Sequence, residues 1–133
     1  MTEEQTALAS RAVACEGWRW MPGMRASLSS GLVVRLAEHD EGSLWHAILA
    51  GGATCTVDMR YPSYTVAPDL SDPATVGCLL ALVREAWGGK CGYMHNSGYQ
   101  WLWIVRPLKG MPAVRGAGAS EAESLVAALE AAP

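Results

Sequence analysis

The segment from Asp72 to Gly88, DPATVGCLLALVREAWG, constrains the fold more than any other part of the chain. Asp72 is a suitable N-cap, because its carboxylate can accept hydrogen bonds from the amides of the first turn. Pro73 follows at the first helical position, where its missing amide costs nothing. One apolar stripe then recurs at helical spacing, formed by Val76, Leu79, Leu80, Val83 and Trp87. The pattern predicts a helix over 73–87, ended by glycines that tolerate the left-handed conformation.

Other patterns along the chain predict two more helices and several strands. Thr2 with Gln5, and Ser120 with Glu123, match capping boxes, which indicates helices over about 3–14 and after residue 120. Apolar or alternating residues predict extended segments over 32–36, 44–49, 53–59, 61–66, 91–95 and 99–106. Gly51-Gly52 and Asn96-Ser97-Gly98 are typical of hairpin turns.

These elements predict one α+β domain over residues 1–133. We expect a mostly antiparallel sheet of about four to six strands, with helices packed on one of its faces. The chain of 133 residues is 50% hydrophobic and 17% charged, which is typical of a globular domain. Residues 107–119 are rich in Pro, Gly and Ala, and this composition predicts a mobile loop.

The charge pattern argues against two classes of partner. A net charge of −3 argues against nucleic acid as a ligand, because binding a phosphate backbone requires a basic surface. Such a surface would require Arg11, Arg19, Arg25 and Arg35 to converge on one face. No apolar run approaches the roughly 18 residues that span a bilayer, so no membrane partner is predicted. The acidic start of the chain lacks the charge of a signal peptide, which predicts a location in the cytoplasm of the cell that makes the protein.

Metal and catalytic sites have little support in the sequence. The four cysteines have irregular spacing without a C-x-x-C pair, which is typical of free thiols in a reducing compartment. Cys91 and His95 are four residues apart, but on a strand this separation is about 13 Å, too far for one zinc ion without a bulge. His39 and His46 form the other candidate pair. We therefore predict no metal and no cofactor.

The remaining catalytic candidates are a cysteine nucleophile and a carboxylate cluster. Cys78 falls within the apolar central helix, where burial disfavours the thiolate that a nucleophile requires. Glu38, Asp40 and Glu41 flank His39, but such clusters in polar turns are usually solvated. No catalytic residue is assigned, and the sequence favours a protein that is not an enzyme.

The aromatic residues are numerous for this length, with six Trp, four Tyr and no Phe. One interpretation is that they build the core in place of Phe. The other is that some form an exposed anchor, because Trp, Tyr and Arg dominate interface hot spots. We predict binding residues Trp18, Arg19 and Trp20, and as a second choice Tyr61 and Tyr64. On this prediction Trp18→Ala/Trp20→Ala weakens partner binding while the protein stays folded. Exposed Trp residues could equally serve a homodimer interface.

Three stretches together resemble a known group of proteins. They read WRWMPGM from Trp18, LSDPATVGCLLALVREAWG from Leu70 and SEAESLVAALEAA from Ser120. They are similar to uncharacterised small accessory proteins of tailed phages and prophages from GC-rich bacteria. This group has no assigned activity, so no functional residue is carried over. The resemblance implies a protein that binds a host protein, including components of CRISPR–Cas and other defence systems.

The leading hypothesis is therefore a non-enzymatic phage accessory protein that acts by protein–protein binding, as an anti-CRISPR-like inhibitor of a bacterial defence system. An alternative is a small-molecule or nucleotide-binding module, which needs a concave apolar pocket with a few polar groups. A further alternative is a small hydrolase or metal enzyme, which needs the converging ligands or catalytic groups discussed above.

Overall fold

The computed structural model of the protein describes residues 1–59, 66–89, 92–106 and 110–133. The described residues form three helices and eight strands. The helices are α1 (Glu3–Ala14), α2 (Pro73–Ala86) and α3 (Glu121–Glu130). The strands are β1 (Arg25–Ser27), β2 (Val33–His39), β3 (Leu44–Leu49), β4 (Thr54–Asp58), β5 (Ala67–Pro68), β6 (Gly92–Asn96), β7 (Trp101–Val105) and β8 (Ala113–Gly118). The predicted α+β class is confirmed.

Helix α2 has the start and end that its sequence specifies. The Asp72 carboxylate accepts a hydrogen bond of 2.9 Å from the Thr75 amide, so Asp72 is the N-cap. At the other end the Gly88 amide donates to the Glu85 carbonyl and the Gly89 amide to the Arg84 carbonyl, at 2.9 and 2.7 Å. The two glycines have φ of 78° and 66°. This pair of hydrogen bonds is a Schellman motif, which only residues that tolerate positive φ form at low cost.

The caps of the other two helices also follow the sequence. The Gln5 amide donates to the Thr2 hydroxyl at 3.2 Å, and the Thr2 amide donates to the Gln5 side chain at 2.8 Å. The Ser120 hydroxyl accepts from the Glu123 amide at 3.1 Å. The Glu123 carboxylate accepts from the Ala119 amide at 2.6 Å, rather than from the cap residue's own amide. Two local signals of a few residues thus set where α1 and α3 begin.

The strands form two antiparallel sheets. The first has five strands in the order β4-β3-β2-β1-β5, which falls within the predicted size. The predicted hairpin, now β6 and β7, belongs to a second sheet in the order β6-β7-β8. Strand β7 is apolar on both faces and lies in the centre of this sheet, as expected for such a strand. The extended segment predicted over 61–66 lies almost entirely outside the described residues.

The prediction of a loop over residues 107–119 is wrong for the part that forms β8. Residues 113–118 pair with β7, and the glycines of this strand lie directly against α3. A Cβ atom at Gly116 would overlap the Ser124 carbonyl and lie 2.7 Å from the Ala128 nitrogen, and one at Gly118 would lie 2.8 Å from the Ser124 nitrogen. The glycines that suggest a loop are therefore needed because a helix backbone approaches the strand this closely.

Two clusters of buried side chains form the core, and α2 contributes to both. The first cluster joins the helices to β7 and includes Leu79, Val83 and Trp103. The second cluster lies on the five-stranded sheet and includes Leu82, Leu36 and other buried side chains of its strands. Leu82 is absent from the predicted stripe because that stripe describes one face of the helix, whereas α2 packs on two sides. Among the described residues no helix is long and apolar enough to cross a membrane.

Candidate functional site

The predicted Trp18-Arg19-Trp20 segment belongs to no helix or strand and is held in place by the turn that follows it. The Met24 amide donates to the Met21 carbonyl at 3.2 Å, which closes a turn centred on Pro22 and Gly23. Gly23 has φ of 94°, as the third position of a type II turn requires. The Gly23 amide also donates to the Leu36 carbonyl of β2 at 2.7 Å. The turn therefore attaches the segment to the five-stranded sheet.

The two indole rings contact each other edge to face. Their centroids are 5.5 Å apart and the rings are inclined at 85°, a favourable arrangement for an aromatic pair. Both side chains are half-buried, but Trp18 packs against both core clusters and Trp20 only against the second. The Trp18 Nε1 atom is buried and has no hydrogen-bond partner among the described residues. Trp18 therefore contributes more to the core than Trp20 does.

Arg19 forms an ion pair with Glu85 of α2. Its Nη1 atom lies 2.7 Å from the Glu85 Oε2 atom, and both side chains are more than half exposed, at 53% and 60%. An ion pair with this exposure contributes little to stability, because water screens both charges. The pair nevertheless gives the guanidinium a preferred position at the edge of the segment.

The Trp18-Arg19-Trp20 segment lines a concavity of about 500 Å³ on one side of the protein. The other lining residues come from the ends of β2, β3 and β4 and are His39, Gly42, Ser43, Trp45 and Met59. We call this surface the indole concavity. Trp45 and Met59 are only 7% and 8% exposed, so they form its floor, and the His39 ring lies 5.0 Å from the Trp45 ring. Three indoles, one imidazole and one guanidinium thus share one concave surface.

The His39 imidazole has a defined hydrogen bond at the edge of the indole concavity. Its Nε2 atom lies 2.6 Å from the Gly42 carbonyl oxygen. Because a carbonyl can only accept, Nε2 must carry a proton, and Nδ1 is the acceptor of the neutral ring. His39, Arg19 and Ser43 therefore supply the polar side chains of a surface that is otherwise mostly apolar.

The structure brings together three of the five predicted binding residues. Trp18, Arg19 and Trp20 lie in one site, whereas Tyr61 and Tyr64 lie outside the described residues. The sequence did not single out His39, Trp45 and Met59 for this site, because they come from other strands. The pairing of β2 with β3 could have indicated that His39 and Trp45 belong to the site, because its register places His39 opposite Trp45.

The structure places His39 and His46, one candidate metal pair, on opposite faces of their sheet. His46 follows Trp45 on β3 and so projects from the opposite face of the sheet to the His39–Trp45 contact. Its Nε2 atom lies 3.7 Å from the Asp40 carboxylate. Cys91 lies outside the described residues. Within the parts of the chain that are described, no three His, Cys, Asp or Glu side chains are grouped as a metal site requires.

The described cysteines are free thiols, and two of them are held in the neutral form. Cys15, Cys55 and Cys78 form no disulfide with one another. Burial raises the pKa of the Cys15 and Cys78 thiols above its ordinary value, because the protein interior disfavours the thiolate. The Cys78 Sγ atom also donates to the Pro22 carbonyl at 3.6 Å. Neither environment suits a nucleophile.

The arginines of the first third of the chain all lie beside carboxylates, although Arg25 and Arg35 are cross-strand neighbours on β1 and β2. Each has a carboxylate partner, in the pairs Arg11–Glu130, Arg19–Glu85, Arg25–Asp69 and Arg35–Asp72. These carboxylates offset the positive charge that would be needed to displace counterions from a phosphate backbone.

Compared with protein-family models, with curated proteins and with solved structures, the chain matches none of them. The indole concavity therefore carries the functional inference.

Proposed function

We propose that the protein acts by binding another protein through the indole concavity, without chemistry of its own. The observation that supports this most directly is that Trp18, Trp20, Trp45 and Arg19 line one concave surface. Trp and Arg are the side chains most enriched among interface hot spots, because they bury a large area and offer a polar group at its edge.

The packing of the site favours binding without large rearrangement. The Trp45 and Met59 side chains are buried in the second core cluster, so the floor of the concavity is fixed by the fold. The edge-to-face contact fixes the Trp20 ring against Trp18, which itself packs on both clusters. A partner that binds here orders few side chains, and this lowers the entropic cost of association.

A small-molecule or nucleotide site is the alternative that the volume favours. About 500 Å³ lies within the roughly 300–1,000 Å³ that is usual for ligand pockets. However, Arg19, His39 and Gly42 in its lining are exposed, so the surface is wide and would cover little of a small ligand. Arg19 is the only arginine or lysine among the described lining residues, and Glu85 already pairs with it. Both observations favour a protein partner.

The resemblance to phage and prophage proteins adds a partner class to the proposal. On that basis the protein is an accessory protein of a phage or prophage, and its partner is a component of a bacterial defence system. A second copy of the chain is the other occupant that exposed indoles would accept. The origin and the partner class rest on the resemblance alone, whereas the surface rests on its geometry.

The experiment that tests the proposal compares three tagged proteins as baits in a host lysate. They are the unmodified protein, the variant Arg19→Ala/Trp20→Ala, and the control Tyr99→Ala, whose side chain is 98% exposed and outside the concavity. Mass spectrometry identifies the captured proteins, and circular dichroism verifies that all three baits are folded. Trp18 is left intact because of its contacts with the core.

We expect one stoichiometric partner to be captured by the unmodified and control baits, and at least about tenfold less by the double variant. If all three baits capture the partner equally, binding takes place elsewhere and the proposed surface is wrong. If folded baits capture nothing, and sedimentation shows a monomer, the small-molecule alternative gains support and ligand screening follows.

A further inference from the structure

The N-terminal parts of the three helices surround a second concavity, which shares no residue with the indole concavity. Its volume is about 670 Å³. Glu4, Gln5 and Leu8 of α1 lie on one side, Val76, Gly77 and Leu80 of α2 line another, and the start of α3 completes it. We call it the helix-end groove. It lies over the first core cluster, whose buried members Leu70 and Ala122 are also in its lining.

The floor of the helix-end groove is apolar and partly open to solvent. Leu8, Val76 and Leu80 are half-buried, and each packs against the first core cluster from the outside. Apolar side chains that line a groove and remain accessible gain free energy when another apolar surface covers them. The floor therefore suits the apolar face of a docked segment.

The charged groups of the groove all have the same sign. Glu4, Glu121 and Glu123 line it, and no lysine or arginine is among the described residues that do so. Glu123 accepts from the Ala119 amide, whereas the Glu4 and Glu121 carboxylates have no hydrogen bond or ion pair within the described residues. These carboxylates favour a cationic partner, because an opposite charge close to them is stabilising.

Gly77 is the observation that points to a close approach by the partner. It is exposed in the interior of α2, where glycine is the least favourable residue apart from proline. A Cβ atom at this position would have no described neighbour within 4 Å, and φ at Gly77 is not positive. Neither packing nor backbone conformation within the described chain therefore requires a glycine here. A ligand backbone that passes over this point would require one.

We propose that the helix-end groove binds a cationic amphipathic segment of a partner protein. The apolar side chains of the segment cover Leu8, Val76 and Leu80, and its Lys or Arg side chains meet Glu4 and Glu121. Its backbone passes closest to α2 at Gly77. This is the binding of an amphipathic helix in a groove, with apolar anchors for affinity and charges for orientation.

The test uses the full chain and a synthetic helical peptide with Leu on one face and Lys on the other, measured by fluorescence anisotropy. We expect saturable binding that weakens as salt rises, because the charges are exposed. A peptide with Glu in place of Lys should bind at least about tenfold more weakly. Absence of saturable binding of the Lys peptide up to about 1 mM overturns the proposal.

Variants of the groove separate binding from stability. Gly77→Ala should raise Tm by about 3 °C, because alanine is the better helix residue. The same substitution should lower the affinity for the Lys peptide several-fold, and Gly77→Leu should lower that affinity about tenfold or more. Glu4→Gln/Glu121→Gln should reduce affinity and its salt dependence, whereas Glu3→Gln, in the same turn of α1 but outside the groove, should change neither.

Two results would overturn this assignment. Equal binding of the Lys peptide by the unmodified protein and by Gly77→Leu would place the peptide elsewhere. A dimer of the unmodified protein that Gly77→Leu dissociates in sedimentation equilibrium would identify the occupant of the groove as a second copy of the chain.

Discussion

The guanidinium of Arg35 donates two hydrogen bonds to the carboxylate of Asp72, at 3.0 and 2.8 Å. The same carboxylate accepts from the amide and the hydroxyl of Thr75, at 2.9 and 2.8 Å. Arg35 also donates to the Gly23 carbonyl at 2.8 Å. The Asp72 side chain, only 8% exposed, therefore caps α2 and ties it to Arg35 of β2. Arg35 also holds the turn beside the indole concavity.

Removal of this carboxylate should destabilise the protein more than removal of any exposed acid. We expect Asp72→Ala to lower the free energy of unfolding by about 2–3 kcal/mol, because it removes an N-cap and two charged hydrogen bonds. Urea denaturation measures the change. The control is Glu85→Ala, whose side chain is 60% exposed and pairs with the similarly accessible Arg19. A similar loss for both variants would contradict the role given to Asp72.

The Arg35–Asp72 pair also predicts a loss of stability in acid. The hydrogen bonds from Arg35 hold the pKa of the Asp72 carboxyl far below its ordinary value. Because the folded protein binds the proton more weakly than the unfolded chain, the stabilisation is complete above about pH 4 and is lost as the pH falls further. Urea denaturation between pH 7 and pH 2 should show this decline.

Asp72→Asn provides the comparison, because asparagine has no carboxyl group to titrate. The difference in unfolding free energy between the unmodified protein and this variant should be constant near neutral pH and should shrink below about pH 4. A difference that is independent of pH would mean that the pair does not lower the pKa of this carboxyl.

The close contact between β8 and α3 predicts that Gly116 tolerates no side chain. Gly116→Ala should lower the free energy of unfolding by about 3 kcal/mol or more, because its methyl group would overlap the Ser124 carbonyl. Gly51→Ala is the matched control, since it has no described atom within 4 Å and no positive φ. Thermal denaturation distinguishes the two, and equal Tm values for both variants would refute the close approach.

Removal of the Trp18 ring should lower the free energy of unfolding more than removal of the Trp20 ring. Trp18→Ala should lower the free energy of unfolding by about 3 kcal/mol, because the ring packs against both clusters. Trp20→Ala should lower the free energy of unfolding by about 1 kcal/mol. Trp18→Phe should recover most of the loss, since it retains an aromatic ring and removes the unpaired Nε1 donor. Equal costs for the two alanine variants would remove this distinction.

This distinction bears on the prediction that Trp18→Ala/Trp20→Ala leaves the protein folded, because Trp18 packs against both clusters. The alternation of Trp18, Arg19 and Trp20 predicts that the two indoles point the same way, and they do contact each other. It does not indicate how deep each ring lies, because that depends on α2 and on the sheet. The contact between the two indoles is therefore predictable from the alternation, whereas the division of these residues between core and surface is not.

The parts of the fold that the sequence predicts are those that depend on residues close together in the chain. Asp72 and Gly88 mark the ends of α2 within a few residues of the bonds they form, so the sequence predicts this helix closely. Strand β8 is missed because the reason for Gly116 lies in α3, at Ser124 and Ala128. The ion pair of Arg35 with Asp72 joins elements that no local pattern connects.

Helix α2 contributes to both core clusters, and this determines how the protein unfolds locally. Leu79 and Val83 belong to the first core cluster and Leu82 to the second, so one helix is shared by both sheets. Detachment of either sheet exposes one side of this helix and weakens the support of the other sheet. The amides of β3 and β7 should therefore exchange with solvent deuterium at one common opening free energy, as a single cooperative unit rather than as two foldons.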